Sequence, residues 1–295
     1  MHIKTNTQKV FAVFNYLLIS IVCLSCVLPF VHLLAVSFSS SVAVKSNFVV
    51  FWPVDFNVDA YTFAFLNGRF VTAMFVSFRR VLLGVGVNLL LIVLTAYPLS
   101  HKKDRLAGRN IYMGFFVVTM IVNGGLIPTY LLVTRLGLLN SLWALVLPGA
   151  LPVFSMIIMM NFIRGLPEDL KDSAMIDGAG PLRVLLYIML PLLTPSIATV
   201  GLFSIVSHWN DWFGGLIYMQ NPQNYPLQTY MQYMLQRIDQ IIQTAQGDYM
   251  EIVARMNARS GRAAQLFMGA LPVMLVYPFL QKYFTTGLVL GSVKG

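Results

Sequence analysis

Residues 172–195 read DSAMIDGAGPLRVLLYIMLPLLTP, and this stretch decides what kind of chain surrounds it. It opens polar, is broken by glycine, and stands between two long apolar spans. Such an insert adds nothing to stability inside a bilayer, so its place is in water, against something else. Just upstream, Leu166-Pro167-Glu168-Asp169 marks a helix start. Proline is tolerated in a first helical turn, and the two acids favour the positive helix end. A short helix to about Ile176 is then stopped by Asp177-Gly178-Ala179-Gly180-Pro181. Glycine enters left-handed turns freely and proline blocks continuation. A second helix runs through Arg183 into Leu190-Pro191. Two short helices joined by a glycine turn form a knob suited to a cleft on a partner.

Composition points the same way. Of 295 residues, 57% are hydrophobic and only 11% charged, with a mean hydropathy of +0.72. A globular domain carries about 25% charged residues, so this is the composition of a membrane protein. A membrane-spanning helix needs about 20 mostly apolar residues. The expected spans are Val10–Val36, Val81–Leu99, Ile111–Val133, Leu142–Phe162, Leu186–Val206 and Leu266–Phe284. The fold class expected is therefore all-α, a polytopic membrane protein of about six helices forming one domain over 1–295.

Orientation follows from the cations that flank the spans. Lys102, Lys103, Arg105 and Arg109 crowd one loop; Lys4 and Lys9 precede the first span; Lys282 and Lys294 lie at and beyond the end of the last. An even number of spans puts both termini on one side, and the cations make that side cytoplasmic. The 165–195 insert then lies in the cytoplasm, while 37–69 and 216–264 face the other side. The net charge of +9 resides largely in these flanks. No solvated basic domain is present to bind nucleic acid.

The N-terminal apolar run is too long for a signal-peptide core and lacks a small-x-small cleavage site before Ser37. Cys23 and Cys26 sit three apart in that run, and are expected to be buried packing residues rather than a disulfide or metal pair. In the first outer segment, Trp52-Pro53-Val54-Asp55-Phe56 is a proline-bent, aromatic stretch suited to the membrane interface. In the second, Met231, Met234, Leu235, Ile238, Ile241 and Ile242 recur at helical spacing beside Gln232, Gln236, Arg237 and Gln240. That amphipathic helix either caps the bundle or offers a docking face.

The insert also resembles a known family. It is similar to the cytoplasmic EAA loop of ABC importer permeases, whose pattern is EAAxxDGAxxxxxFxxIxLPxxxP. Asp172-Ser173-Ala174 stand for EAA; Asp177-Gly178-Ala179 match DGA; Ile188, Leu190-Pro191 and Pro195 fall at the matching spacing. Leu185 replaces the family's Phe, a change in packing detail. Asn123-Gly124-Gly125-Leu126-Ile127-Pro128-Thr129-Tyr130, Gly137-Leu138-Leu139-Asn140 and the tail from Gln281 to Gly295 resemble segments of carbohydrate-importer permeases. The resemblance covers nearly the whole chain and points to the maltose-type class, near permeases for larger oligosaccharides.

The resemblance implies an ATPase-coupling role for Asp172, Ser173, Ala174, Asp177, Gly178, Ala179 and Gly180. It implies a second permease in a heterodimer, two ATPase subunits, an extracytoplasmic solute-binding protein and an oligosaccharide cargo, in a bacterial cytoplasmic (inner) membrane. No GxxxxGK[ST] phosphate loop occurs, so ATP hydrolysis falls to a separate subunit, and no cofactor is expected here. An ion-coupled carrier is the rival class; it would place ionisable groups deep in the spans and show internal repeats. Neither an HExxH pair nor a nucleophile elbow suggests an enzyme.

The expected substrate-contacting segment is Ser207-His208-Trp209-Asn210-Asp211-Trp212-Phe213-Gly214-Gly215. Aromatic faces stack on sugar C–H patches, while amides and carboxylates hydrogen-bond hydroxyls. Trp209, Asn210, Asp211 and Trp212 supply both kinds of group within about one helical turn. An interfacial aromatic belt with Asp211 wetted at a helix end explains the same residues. Asn123 and Tyr130 are further candidates, beside a turn at Gly124-Gly125. Arg69, Arg79 and Arg80 gather before the second span. They either attract an acidic sugar, or snorkel to lipid phosphates or pair with Asp55 or Asp59.

Overall fold

The computed structural model describes the backbone of residues 6–66, 68–101, 106–167, 169–244 and 257–292, and their side chains except at 6, 66, 238, 239, 241–244 and 279–292. Lys4, Lys102, Lys103, Arg105, Lys294, Glu168 and the 245–256 part of the second hydrophilic segment lie outside the described residues, as do the side chains of Lys282, Ile238, Ile241 and Ile242. Every regular element among the described residues is helical. In chain order they are α1 (Asn6–Ser37), α2 (Ser41–Lys45), α3 (Asp59–Leu66), α4 (Arg69–Ser100), α5 (Arg109–Ile121), α6 (Leu126–Arg135), α7 (Leu142–Val146), α8 (Val153–Gly165), α9 (Asp169–Ile176), α10 (Pro181–Val184), α11 (Leu190–Leu192), α12 (Thr194–Asn210), α13 (Phe213–Tyr218), α14 (Leu227–Thr244) and α15 (Ala258–Ser292).

α1 and α4 are each long and apolar enough to cross a membrane unaided. Three other expected spans are bent helix pairs, and each bend has a local cause. α5 and α6 meet at 111°, where Gly125 adopts φ 86° and the Asn123 side chain accepts its N–H at 2.9 Å. α7 with its 3₁₀ extension meets α8 at 56°, across Pro152, which has no N–H to continue the ladder. The helical run Pro181–Leu192 meets α12 at 81°. There Leu193 is flanked by Pro191 and Pro195. The sixth expected span lies in α15, which contains Pro272 and Pro278.

α4 starts at Arg69 rather than near Val81. Nothing in RFVTAMFVSFRR stops a helix, and Phe70, Ala73, Ser77 and Arg80 recur on one buried face.

The chain divides into two compact units, one comprising the chain to Phe70 with Met231–Leu271, the other Val71–Tyr230 with the chain from Pro272. In the first, Ala35, Val36, Ala43, Val44, Val49 and Ala263 form a small core. Phe38 stacks between Phe56 and Tyr61, at 5.2 and 4.7 Å between ring centroids. The hydroxyl of Ser39 accepts the N–H of Val54 at 3.0 Å, which closes the loop after α2. Trp52 remains 83% exposed. Within this unit the most apolar stretch of α1 is uncovered. Cys23 and Cys26 are accordingly exposed, not buried as the sequence suggested.

The second unit is built around Ile92, Ala96 and Leu99 of α4, Met156, Met159 and Ile163 of α8, and Leu185, Met189, Leu193 and Val200 on the way into α12. Ala174 of α9 belongs to the same core, and Ala179 packs on it. The hydrophilic knob is therefore rooted in the apolar bundle.

Candidate substrate cavity and coupling turn

Ser77, Arg80, Gly84 and Asn88 recur three or four residues apart along α4, so they share one helix face. That face is buried: Ser77 and Arg80 are 1% exposed and Asn88 3%. On α12, Ser204 and His208 are buried four residues apart. The two rows meet. Asn88 Nδ2 donates to Ser204 Oγ at 3.2 Å, and Asn88 Oδ1 lies 3.5 Å from His208 Nε2. Gly84 makes room for this approach, since a Cβ there would collide with the imidazole of His208.

α12 ends at Asn210, and Asp211 turns extended at φ −73°, ψ 96°. Its Oδ1 accepts the Gly214 N–H at 2.9 Å, capping the first turn of α13. Its Oδ2 takes Arg80 Nη2 in an ion pair, and Arg80 Nη1 donates to the Asp211 carbonyl at 2.7 Å. Arg80 is thus buried and paired with Asp211, rather than snorkelling outward or pairing with Asp55 or Asp59. A guanidinium removed from water needs a carboxylate at close range, and Asp211 is the one the packing supplies. Arg79, its neighbour, stays exposed.

These groups border a cavity of about 390 Å³. Arg80, Asn88, Ser155, Ser204, Ser207, His208, Asp211 and Tyr218 line it, together with Phe154 and Phe203. Aromatic walls with a few convergent polar groups, at a volume within the ~300–1,000 Å³ of small-molecule sites, make a compartment of small-molecule size.

Of the substrate candidates read from the sequence, Asp211 lines this cavity. Tyr130 stacks on the cavity residue Tyr218, with 6.4 Å between centroids. Trp209 is 4% exposed and meets Phe78 edge-on at 5.6 Å. Trp212 is 39% exposed and meets Phe213 edge-on. Asn210 is exposed, and Asn123 is engaged in the turn at Gly125. Sequence reasoning missed Arg80, Asn88, Ser204 and His208 as a group. Their four-residue repeats along two apolar helices were the available signal.

The glycine turn after α9 closes as a Schellman cap. The Ala179 N–H donates to the Ala174 carbonyl at 2.9 Å, and the Gly178 N–H to the Met175 carbonyl at 3.1 Å. Gly178 adopts φ 82°. Asp172 is half-buried, while Ser173, Asp177, Gly178 and Gly180 are exposed. Ile176 and Leu182 are 86% and 62% exposed, so an apolar rim surrounds the turn. A π-helical turn, Leu185–Met189, follows α10, just before Pro191 withholds a ladder N–H.

The family model described as binding-protein-dependent transport system inner membrane component matches residues 60–289. The chain is 37% identical over 290 residues to the polygalacturonan/rhamnogalacturonan transport system permease protein YtcP of Bacillus subtilis (strain 168), covering 98% of this chain and 99% of the relative. It is 37% identical to protein LplC of the same organism, over all of this chain and 98% of the relative. Among solved structures, a chain from a bacterial ABC transporter involved in the import of the acidic polysaccharide alginate matches with a TM-score of 0.85 and 28% identity. That match covers 96% of this chain and 100% of the other.

Proposed function

The chain belongs to the binding-protein-dependent transport system inner membrane component family, and from that premise we propose how it works. It is the permease subunit of an ABC importer for sugars, a multi-pass protein of the cytoplasmic membrane. It is not itself an enzyme; a separate ATPase subunit hydrolyses ATP. The family brings a second permease, an ATPase and a solute-binding protein as partners, and the ion-coupled carrier is not favoured.

In our reading the two permeases form a heterodimer, two ATPase copies dock on it, and no cofactor is held by this chain. Both termini and the 165–195 loop are cytoplasmic, with 37–69 and 216–264 outside. The exposed rim around Asp172, Ser173, Ala174, Asp177, Gly178, Ala179 and Gly180 is the ATPase contact. Because Ala174 and Ala179 are packed on the same core as α4, α8 and the start of α12, movement of the turn tilts those helices. The cavity between them is thereby exposed alternately to each side. Asp211 meets the sugar directly, Tyr130 and Trp209 support the walls, and Asn210, Trp212 and Asn123 offer further polar and aromatic groups along the path.

The cargo is an oligosaccharide derived from an acidic polysaccharide. That reading is supported by the named cargo of the full-length relative at 37% identity and of the matched structure. The test is uptake of oligogalacturonides into vesicles containing the chain with its partner permease, ATPase and binding protein. ATP-dependent uptake that survives collapse of the ion gradients is the expected result. Uptake without the ATPase, lost with the gradient, would return the chain to the carrier class.

A further inference from the structure

The cavity holds one cation and one anion, and they are spent on each other. Among the described residues that line it, Arg80 and Asp211 are the only Arg, Lys, Asp or Glu side chains. Both Nη atoms of Arg80 are engaged by Asp211, and its Nε is buried without a partner. Their exposures differ sharply: the Arg80 side chain is 1% exposed and that of Asp211 38%. A ligand in the cavity therefore meets the carboxylate of Asp211 first, with the guanidinium of Arg80 in the wall behind it. Phe203, 42% exposed, and the exposed Ser207 line the same space.

We infer that this cavity is a subsite for the uncharged, hydroxyl-bearing face of a sugar ring, with Asp211 accepting hydrogen bonds from sugar hydroxyls, Phe203 stacking on the C–H face, and Arg80 acting only to hold and neutralise Asp211. The inference rests on the reading of the chain as a sugar permease and specifies what its cavity recognises. An unpaired carboxylate would hold hydroxyls too, but leaving it bare in an apolar bundle costs desolvation energy, and Arg80 removes that cost. A sugar carboxylate gains nothing here. It would face Asp211 with no further cation among the described lining residues to receive it, and it would lose its own hydration. Acidic and neutral sugars both carry hydroxyls and C–H faces, so the subsite treats them alike. Any preference for the acid must arise on the partner permease or the binding protein.

The experiment uses the complete importer in vesicles, with matched neutral and uronate oligosaccharides and the membrane abundance of each variant measured. Phe203→Ala leaves the ion pair intact and should raise the half-saturating concentration for both sugars by about three- to tenfold. Arg80→Gln/Asp211→Asn removes both charges together and should weaken both sugars by a similar factor, about tenfold. Selective loss of the uronate sugar in the double variant would make Arg80 a carboxylate receptor and overturn the inference. Unchanged half-saturation in Phe203→Ala would overturn it as well, since the cavity would then not hold the sugar. Wild-type vesicles that import neither sugar with ATP would instead sink the permease reading for these cargoes, and the inference with it.

Discussion

Ala179 donates its N–H to the carbonyl of Ala174 at 2.9 Å, across a Gly178 held at φ 82°. That bond ends α9 and points the chain into α10, while both alanines rest on the core of the second unit. The turn is therefore anchored on the bundle on one side and exposed on the other. A Cβ built at Gly178 meets nothing within 4 Å, so a side chain there is opposed by its backbone and not by this chain's packing.

Replacing Gly178 separates those two effects. A non-glycine residue in the left-handed region costs roughly 1–2 kcal/mol, which the bundle should tolerate. Gly178→Asn, suited to that region, should insert normally and keep most uptake. Gly178→Trp should also reach the membrane, yet its bulk would stand where the ATPase is proposed to dock, and ATP-driven uptake should fall to background. Normal uptake by Gly178→Trp at normal abundance would remove the turn from the coupling path.

Gly84 and His208 set how closely α4 approaches α12. Gly84→Ala should destabilise the protein by about 1–3 kcal/mol, as over-packing does, lowering the melting temperature in detergent. In a His208→Ala background the obstacle is gone, and the same substitution should cost markedly less. A double-mutant cycle reads this coupling directly. Equal cost in both backgrounds would mean that the imidazole is not what Gly84 accommodates.

The parts legible from sequence were those set by neighbouring residues. Gly178 and Pro181 end and restart helices through their own backbone chemistry, so the turn could be read in order. Runs of apolar residues marked the spans, but averaging hid the breaks at Gly125, at Pro152 and at Leu193 between Pro191 and Pro195, where one or two residues decide direction. The cavity was harder to see because its central pair is formed by residues 131 apart in the chain. Arg80 beside Arg79 looks interfacial until helix phase is considered: Arg80 shares a face with Ser77, Gly84 and Asn88, whereas Arg79 does not. Trp209 has the chemistry to stack on a sugar, yet whether its ring is free depends on Phe78, which arrives from another helix.

The C-terminal end of α4 carries the last prediction. Arg109 Nε and Arg164 Nη2 donate to the same carbonyl, that of Leu99, at 2.8 and 3.2 Å. Two cations at a helix C-terminus satisfy a carbonyl the ladder leaves open and oppose the negative end of the helix dipole. Either arginine can do much of this alone, and Arg164 is exposed, so Arg109→Gln or Arg164→Gln singly should cost less than about 1 kcal/mol. The double variant leaves the Leu99 carbonyl without either donor and should cost more than the sum, about 1–3 kcal/mol. Because Leu99 belongs to the core that also holds Ala174, amide exchange in α9 should quicken along with that in the last turn of α4. Purely additive melting shifts, with α9 exchange unchanged, would show that the shared carbonyl does not tie the end of α4 to the coupling turn.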